Sequence, residues 1–115
     1  MDMNKELIDK AIGRFTQETK ELYGDKLRRV ILFGSCARSD FKEDSDIDVM
    51  VLLDVVQDMI GVERDKIKSV VHKLDAEFDY EILWAPVVQS EETFNKFLPV
   101  MPFYQNVMRE GIRYA

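Results

Sequence analysis

Two aspartates, Asp46 and Asp48, stand at the start of a run in which apolar residues alternate with a period of two. On a β-strand, residues i and i+2 point to the same face about 6.6–6.8 Å apart, so both carboxylates are expected at one place. Two like charges at the head of an apolar strand repel each other, and a bound cation relieves that repulsion. Because Mg²⁺ prefers oxygen ligands, the pair predicts a magnesium site. The alternative is a solvated strand edge.

A Gly-Ser pair, Gly34-Ser35, ends the preceding apolar run. Glycine allows close backbone approach, and the serine hydroxyl with the free N–H groups of a following helical turn suits a phosphate. Arg38 is expected to reach the same phosphate. Phosphate donors beside a metal site are the parts that nucleotidyl transfer requires. The alternatives are an ordinary turn at Gly34-Ser35 and, for Arg38, a surface ion pair with Asp40 or Asp44.

Hydrophobic periodicity predicts the elements that must position these residues. Apolar residues at steps of three and four predict two long amphipathic helices, and continuous or alternating apolar runs predict three strands. Two short helices follow, the first with Ser90 as its N-cap and the second beginning near Pro102. In chain order, the elements are a helix over 4–24, strands over 30–33 and 46–53, a helix over 60–78, a strand over 80–85 ended by Pro86, and helices over 90–99 and 102–111. This order predicts a single α/β or α+β domain over residues 1–115.

Composition narrows the classes of partner. The 115 residues carry a net charge of −6, which disfavours stable nucleic-acid binding. The single cysteine, Cys36, excludes an intrachain disulfide and fits a reducing compartment. No apolar run approaches the roughly 20 residues that span a bilayer, and the first residues lack the pattern of a secretion signal. We therefore expect a cytoplasmic protein without a membrane partner.

The combined motifs resemble the minimal nucleotidyltransferases of the DNA polymerase β superfamily, whose signature is a Gly-Ser, a short Ala-Arg turn and a Ser-Asp-x-Asp strand. The resemblance covers nearly the whole chain, and it implies a small mixed β-sheet with helices packed mainly on one face. One departure is Ser39, where many relatives carry glycine. The positions that match the signature are Gly34, Ser35, Ala37, Arg38, Ser45, Asp46 and Asp48.

The resemblance also implies residue roles. Asp46 and Asp48 are expected to hold Mg²⁺. Four residues, given at the end of this paragraph, are expected to bind the triphosphate of ATP. In the superfamily a third carboxylate from a later strand completes the metal site and helps to deprotonate the attacking hydroxyl. Glu81 is assigned this role, and Asp79, which has the same strand parity, is its competitor. The four residues expected at the triphosphate are Gly34, Ser35, Arg38 and Ser45.

By the same resemblance, the chain is a Mg²⁺-dependent nucleotidyltransferase that moves AMP from ATP onto a hydroxyl and releases pyrophosphate. Small members of the family serve as antitoxins that adenylylate a tyrosine of a HEPN-domain toxin, so we expect such a toxin as partner. The edge strands of a small sheet also make self-association possible. Two alternatives stay open: a binding module that neutralises a toxin by contact alone, and a small-molecule enzyme resembling the aminoglycoside nucleotidyltransferases.

Overall fold

A four-stranded sheet is the framework of the computed structural model, which describes residues 3–115. The strand order is β3-β2-β1-β4, with β1 antiparallel to both β2 and β4 and with β2 parallel to β3. The sheet is therefore mixed, as the sequence predicts. The helices are α1 (Lys5–Tyr23), α2 (Gly34–Arg38), α3 (Ile60–Glu77), α4 (Glu91–Phe97) and α5 (Pro102–Glu110), and the strands are β1 (Leu27–Phe33), β2 (Ile47–Leu53), β3 (Trp84–Ser90) and β4 (Ile112–Arg113).

Both faces of the sheet are covered. The long helices α1 and α3 pack on one face, where alternate residues of β1 and β2 such as Val30 and Val49 join the larger apolar cluster. The intervening residues, such as Ile31 and Met50, point the other way and pack against α4 and α5 in a smaller cluster. The α+β class and the placement of the long helices are confirmed, and the two short helices close the opposite face.

Local signals explain where the helices begin. Asn4 caps α1, because its side-chain Oδ1 accepts a hydrogen bond from the backbone N–H of Leu7 at 2.8 Å. Ser90 caps α4 in the same way, accepting from the N–H of Thr93 at 3.0 Å. Pro102 occupies the first turn of α5, where its missing N–H costs nothing. All three starts agree with the sequence prediction.

The third strand lies later in the chain than the prediction of 80–85. β3 spans Trp84–Ser90, and Pro86 lies within it, in register with Val49 of β2. Proline is tolerated there because β3 is an edge strand, and the outer side of an edge strand needs no backbone N–H to pair with another strand. The residues before it form a turn instead, with Asp79 and Tyr80 both in the left-handed region at φ +57°. The third strand is present but its predicted bounds of 80–85 are wrong, and Glu81 lies before the strand instead of within it.

Two short elements complete the fold. α2 is the helical turn expected after Gly34-Ser35, directly following β1, whereas β4, which pairs with Ile31 and Leu32 of β1, was not predicted. Among the described residues, no helix is both long and apolar enough to cross a membrane.

The core of the long-helix face should dominate the stability of the protein. Leu74 of α3 is completely buried, so Leu74→Ala is expected to lower the free energy of unfolding by about 2–5 kcal/mol. Leu22→Ala, the same change on the exposed side of α1, should alter it by no more than about 0.5 kcal/mol. Urea unfolding of both variants measures the difference, and equal losses would contradict this assignment of the core.

Candidate active site

Gly34 forms the sharp junction between β1 and α2. Its φ is +73°, a conformation that side-chain-bearing residues rarely adopt. A Cβ atom at this position would overlap Oδ2 of Asp48 and lie 3.1 Å from its Cγ. The contact follows from the sheet register, because Phe33, the last residue of β1, pairs with Asp48. The Asp48 carboxylate therefore lies directly against the backbone of the Gly-Ser turn.

Asp46 immediately precedes β2, and Asp48 is the second residue of that strand. Ile47 between them is fully buried and joins the long-helix cluster, so Asp46 and Asp48 have the opposite parity. Partial burial raises the pKa of the Asp48 carboxyl above its usual range, and the charge of Asp46 raises it further. The positive charge of Arg38 acts in the other direction. The structure thus brings together the two predicted metal ligands and the predicted phosphate-binding arginine.

Arg38 lies at the end of α2 between two carboxylates. Its Nε donates to Oδ2 of Asp40 at 3.2 Å, and its Nη1 donates to Oε2 of Glu110 at 3.4 Å. The Arg38–Asp40 contact is the surface ion pair that the sequence analysis gave as the alternative to phosphate binding by Arg38. The Arg38 side chain is 44% exposed, so both ion pairs are screened by solvent and each contributes little to stability. Arg38 can therefore exchange one carboxylate for a phosphate at small cost.

The α2 turn is closed by its own backbone. The carbonyl of Ser35 accepts from the N–H of Ser39 and, at 3.2 Å, from that of Asp40. Ser39 has φ +65°, a left-handed conformation that glycine adopts easily. This explains why many of the minimal nucleotidyltransferases that the chain resembles carry glycine there. Serine accepts this left-handed conformation at a cost of about 1 kcal/mol, so the departure from the family pattern leaves the turn intact.

Two further residues connect the turn to the strand. The Cys36 thiol is buried and donates to the backbone carbonyl of Asp46 at 3.4 Å. Burial, and next the charge of Asp48, raise the pKa of that thiol, so it is not an activated nucleophile. The Ser45 hydroxyl accepts from the N–H of Lys42 at 2.7 Å and so closes the loop that leads into β2. Contact of Ser45 with a triphosphate stays a prediction.

The third carboxylate is not brought to the aspartate pair. Glu81 lies on the turn before β3, with its backbone N–H donating to the carbonyl of Phe78 at 3.2 Å. The residue of β3 that pairs with Asp48 is Ala85, which carries no carboxylate. Within residues 3–115, no cluster of three or more His, Cys, Asp or Glu side chains could hold a metal. The role of Glu81, or of its competitor Asp79, stays a prediction.

The aspartate pair nevertheless suits a divalent cation that is shared with a phosphate ligand. Asp46 and Asp48 supply hard oxygen donors, and their repulsion is the condition that a cation would relieve. Mg²⁺ is usually held by one or two carboxylates, with water and substrate phosphates completing its shell. The donor set present therefore fits Mg²⁺ without a third carboxylate.

A pocket of about 250 Å³ opens beside the turn, and its far wall is α5. Phe103, Asn106 and Glu110 face it at steps of three and four along the helix. The sequence analysis did not assign these residues to the site, although their helical spacing marks a common face. The residues that line the pocket are Phe33, Gly34, Arg38, Phe103, Asn106, Val107 and Glu110.

Comparison with known proteins assigns the chain to a family. The matching family model is described as a nucleotidyltransferase domain and covers residues 12–100. The chain belongs to this nucleotidyltransferase family. The protein named "Putative protein adenylyltransferase MJ0604" of Methanocaldococcus jannaschii is 37% identical over 109 residues, which are 95% of this chain and 96% of that relative. The similarly named MJ0141 of the same organism is 34% identical over 98 residues, 84% of this chain and 94% of that relative.

The nucleotidyltransferase should not tolerate a side chain at the turn. Gly34→Ala is expected to reduce both stability and nucleotidyl transfer, because its Cβ would overlap the Asp48 carboxylate in a left-handed conformation. Gly13→Ala, within α1, meets no atom within 4 Å and should be neutral or stabilising by up to about 1 kcal/mol. Thermal unfolding and a transfer assay on both variants provide the check. Wild-type activity in Gly34→Ala would refute this account of the turn.

The repulsion at the site should also be visible in the pH dependence of stability. A carboxyl whose pKa is raised by folding destabilises the folded state once it ionises. Asp48→Asn should therefore be more stable than the parent at pH 7 in chelator, and the gap should shrink as the pH falls through the folded-state pKa of Asp48. Unfolding midpoints across the pH range test this, with the exposed Asp58→Asn as a charge-matched control. A gap that is independent of pH would contradict the argument.

Proposed function

We propose that this nucleotidyltransferase transfers AMP from ATP to a hydroxyl group of a protein in a Mg²⁺-dependent reaction. The observation that carries the proposal is the Asp48 carboxylate held against the Gly34 turn, with Asp46 and Arg38 close enough to act on its charge. The two similar proteins from Methanocaldococcus jannaschii are named as protein adenylyltransferases, which supports AMP as the transferred group and a protein as the acceptor.

Each residue of the turn has a role in this proposal. Asp46 and Asp48 would hold Mg²⁺, which when bound would neutralise charge that develops on the phosphates. Gly34 keeps the backbone close to the carboxylates, and the Ser35 hydroxyl, one residue later, is a donor for a phosphate oxygen. Arg38 would leave Glu110 or Asp40 and pair with the triphosphate, since a guanidinium binds phosphate oxygens well.

The acceptor is proposed to be a tyrosine of a HEPN-domain toxin, with this chain acting as its antitoxin. This part rests on the resemblance of the Gly34 to Asp48 motif to the minimal nucleotidyltransferases. In the same proposal Glu81, or Asp79, acts on the acceptor hydroxyl when the toxin is bound, and Ser45 contributes to the triphosphate site. The turn at Asp79 and Tyr80 precedes β3, so both candidate acids lie outside the rigid sheet.

The aspartate pair supplies the direct test. Asp46→Asn combined with Asp48→Asn should reduce Mg²⁺-dependent AMP transfer by more than about 100-fold, because even indirect support of a metal ligand is worth 10–100-fold. The variant should remain folded, since two repelling charges are removed. Label from α-phosphate-labelled ATP, followed on the toxin by gel and mass spectrometry, measures the loss.

The matched control is Asp54→Asn combined with Asp58→Asn, which changes the charge equally at exposed positions after β2. It should label the toxin like the parent. The rival proposal is a binding module that neutralises the toxin by contact, and the pairing of Asp48 with Ala85, whose side chain is a methyl group, favours it. A stable complex with the toxin, without any label, would replace the enzymatic proposal with that one. AMP transfer to a small hydroxylated compound without a protein would instead indicate an aminoglycoside-like enzyme.

A further inference from the structure

Tyr80 is the most exposed tyrosine of the fold, and it lies on a turn near the candidate active site. Its side chain is 73% exposed on the turn between α3 and β3. The backbone there is left-handed at Asp79 and Tyr80, and the N–H of Tyr80 donates to the carbonyl of Asp75 at 2.8 Å. This hydrogen bond ties the turn to the end of α3 while the phenol stays in solvent.

The hydroxyls of the other three tyrosines are engaged within the fold. Tyr23 donates to the carbonyl of Glu63 at 3.4 Å, and Tyr104 accepts from Nε2 of Gln89 at 2.9 Å. Tyr114 donates to the carboxylate of Asp9 at 2.8 Å, and burial with this hydrogen bond raises the pKa of Tyr114 to about 12. The Tyr80 hydroxyl, by contrast, has no hydrogen-bond partner within residues 3–115.

Topology places Tyr80 at the same end of the sheet as the aspartates. β2 and β3 are parallel, so the turn before β3 lies beside the start of β2. The carbonyl of Leu83 accepts from the N–H of Ile47 at 2.7 Å, and Ile47 stands between Asp46 and Asp48. Tyr80 is three residues before Leu83, which limits the distance between their Cα atoms to about 11 Å. A phenol on this short tether is a hydroxyl nucleophile within reach of the site.

We propose that Tyr80 is a self-acceptor, so that the enzyme adenylylates its own Tyr80 when no partner acceptor is bound. This inference rests on the proposed function. The Tyr80 oxygen attacks the α-phosphorus of ATP, a new oxygen–phosphorus bond forms, and the bond from that phosphorus to the β-phosphate oxygen breaks. Pyrophosphate leaves, and the phenolic proton passes to solvent. We place the reaction within one chain because the Leu83–Ile47 hydrogen bond holds the segment that follows Tyr80 beside the residues that carry the aspartates.

The test incubates the purified chain alone with Mg²⁺ and α-phosphate-labelled ATP, and measures intact mass and labelled peptides. One AMP group per chain is expected, located on Tyr80, at a rate per chain that does not change on dilution. Tyr80→Phe should reduce labelling to the level of the Asp46→Asn/Asp48→Asn variant. Tyr23→Phe, which removes a hydroxyl at the other end of the sheet, should label like the parent.

Parallel measurements separate the two proposals. Two measurements test the proposed function and do not depend on Tyr80. They are Mg²⁺-dependent ATP binding, measured by calorimetry, and AMP transfer to the toxin. Label on the toxin with none on Tyr80 would overturn self-adenylylation and leave the proposed function in place. Label on another residue, or a rate that rises with protein concentration, would also overturn it. Loss of both metal-dependent ATP binding and toxin labelling would remove the proposed function itself.

Discussion

The contact between the Asp48 carboxylate and the Gly34 backbone is the constraint on which the site depends. It requires a residue without Cβ at φ +73°, and it requires β1 and β2 to pair so that Phe33 lies opposite Asp48. Given those two conditions, the chain must turn immediately into α2, and Arg38 then stands within electrostatic range of Asp48. One close approach therefore couples the strand register, the helical turn and the charge distribution of the site.

The two carboxylates of the site lower the stability of the folded protein, and the packing of the rest of the fold offsets that loss. Asp48 is partly buried beside a second carboxylate, which destabilises the metal-free protein at neutral pH. Burial on both faces of β2 provides the compensation, since the strand is fully inaccessible from Val49 to Leu53. A strand packed on both faces can keep two repelling charges close together at its start. In a more mobile segment the two charges would move apart. The cation of the proposed reaction would then meet a prearranged pair of carboxylates.

The α5 helix connects the site to the remainder of the chain. Glu110 at its end pairs with Arg38, while Phe103 at its start packs edge-on against Phe33 of β1. The same helix lines the pocket beside Gly34. One side of the candidate site is thus built from the Gly-Ser turn and α5. The opposite side is bounded by the turn of Asp79 and Tyr80 and by the edge strand β3.

The sequence by itself determined the features that depend on neighbouring residues. Periodicity located α1 and α3, cap residues located the starts of α1 and α4, and the pattern from Gly34 to Asp48 predicted a turn between two strands that carries the candidate site. Only the tertiary structure decided that β3 begins at Trp84, that Ala85 and not an acid lies beside Asp48, and that Glu110 pairs with Arg38. The physical reason is that strand register and helix docking arise from contacts between residues far apart in the chain. Pro86 illustrates the limit, because it ends a strand in the sequence pattern but is accommodated once β3 lies at the sheet edge.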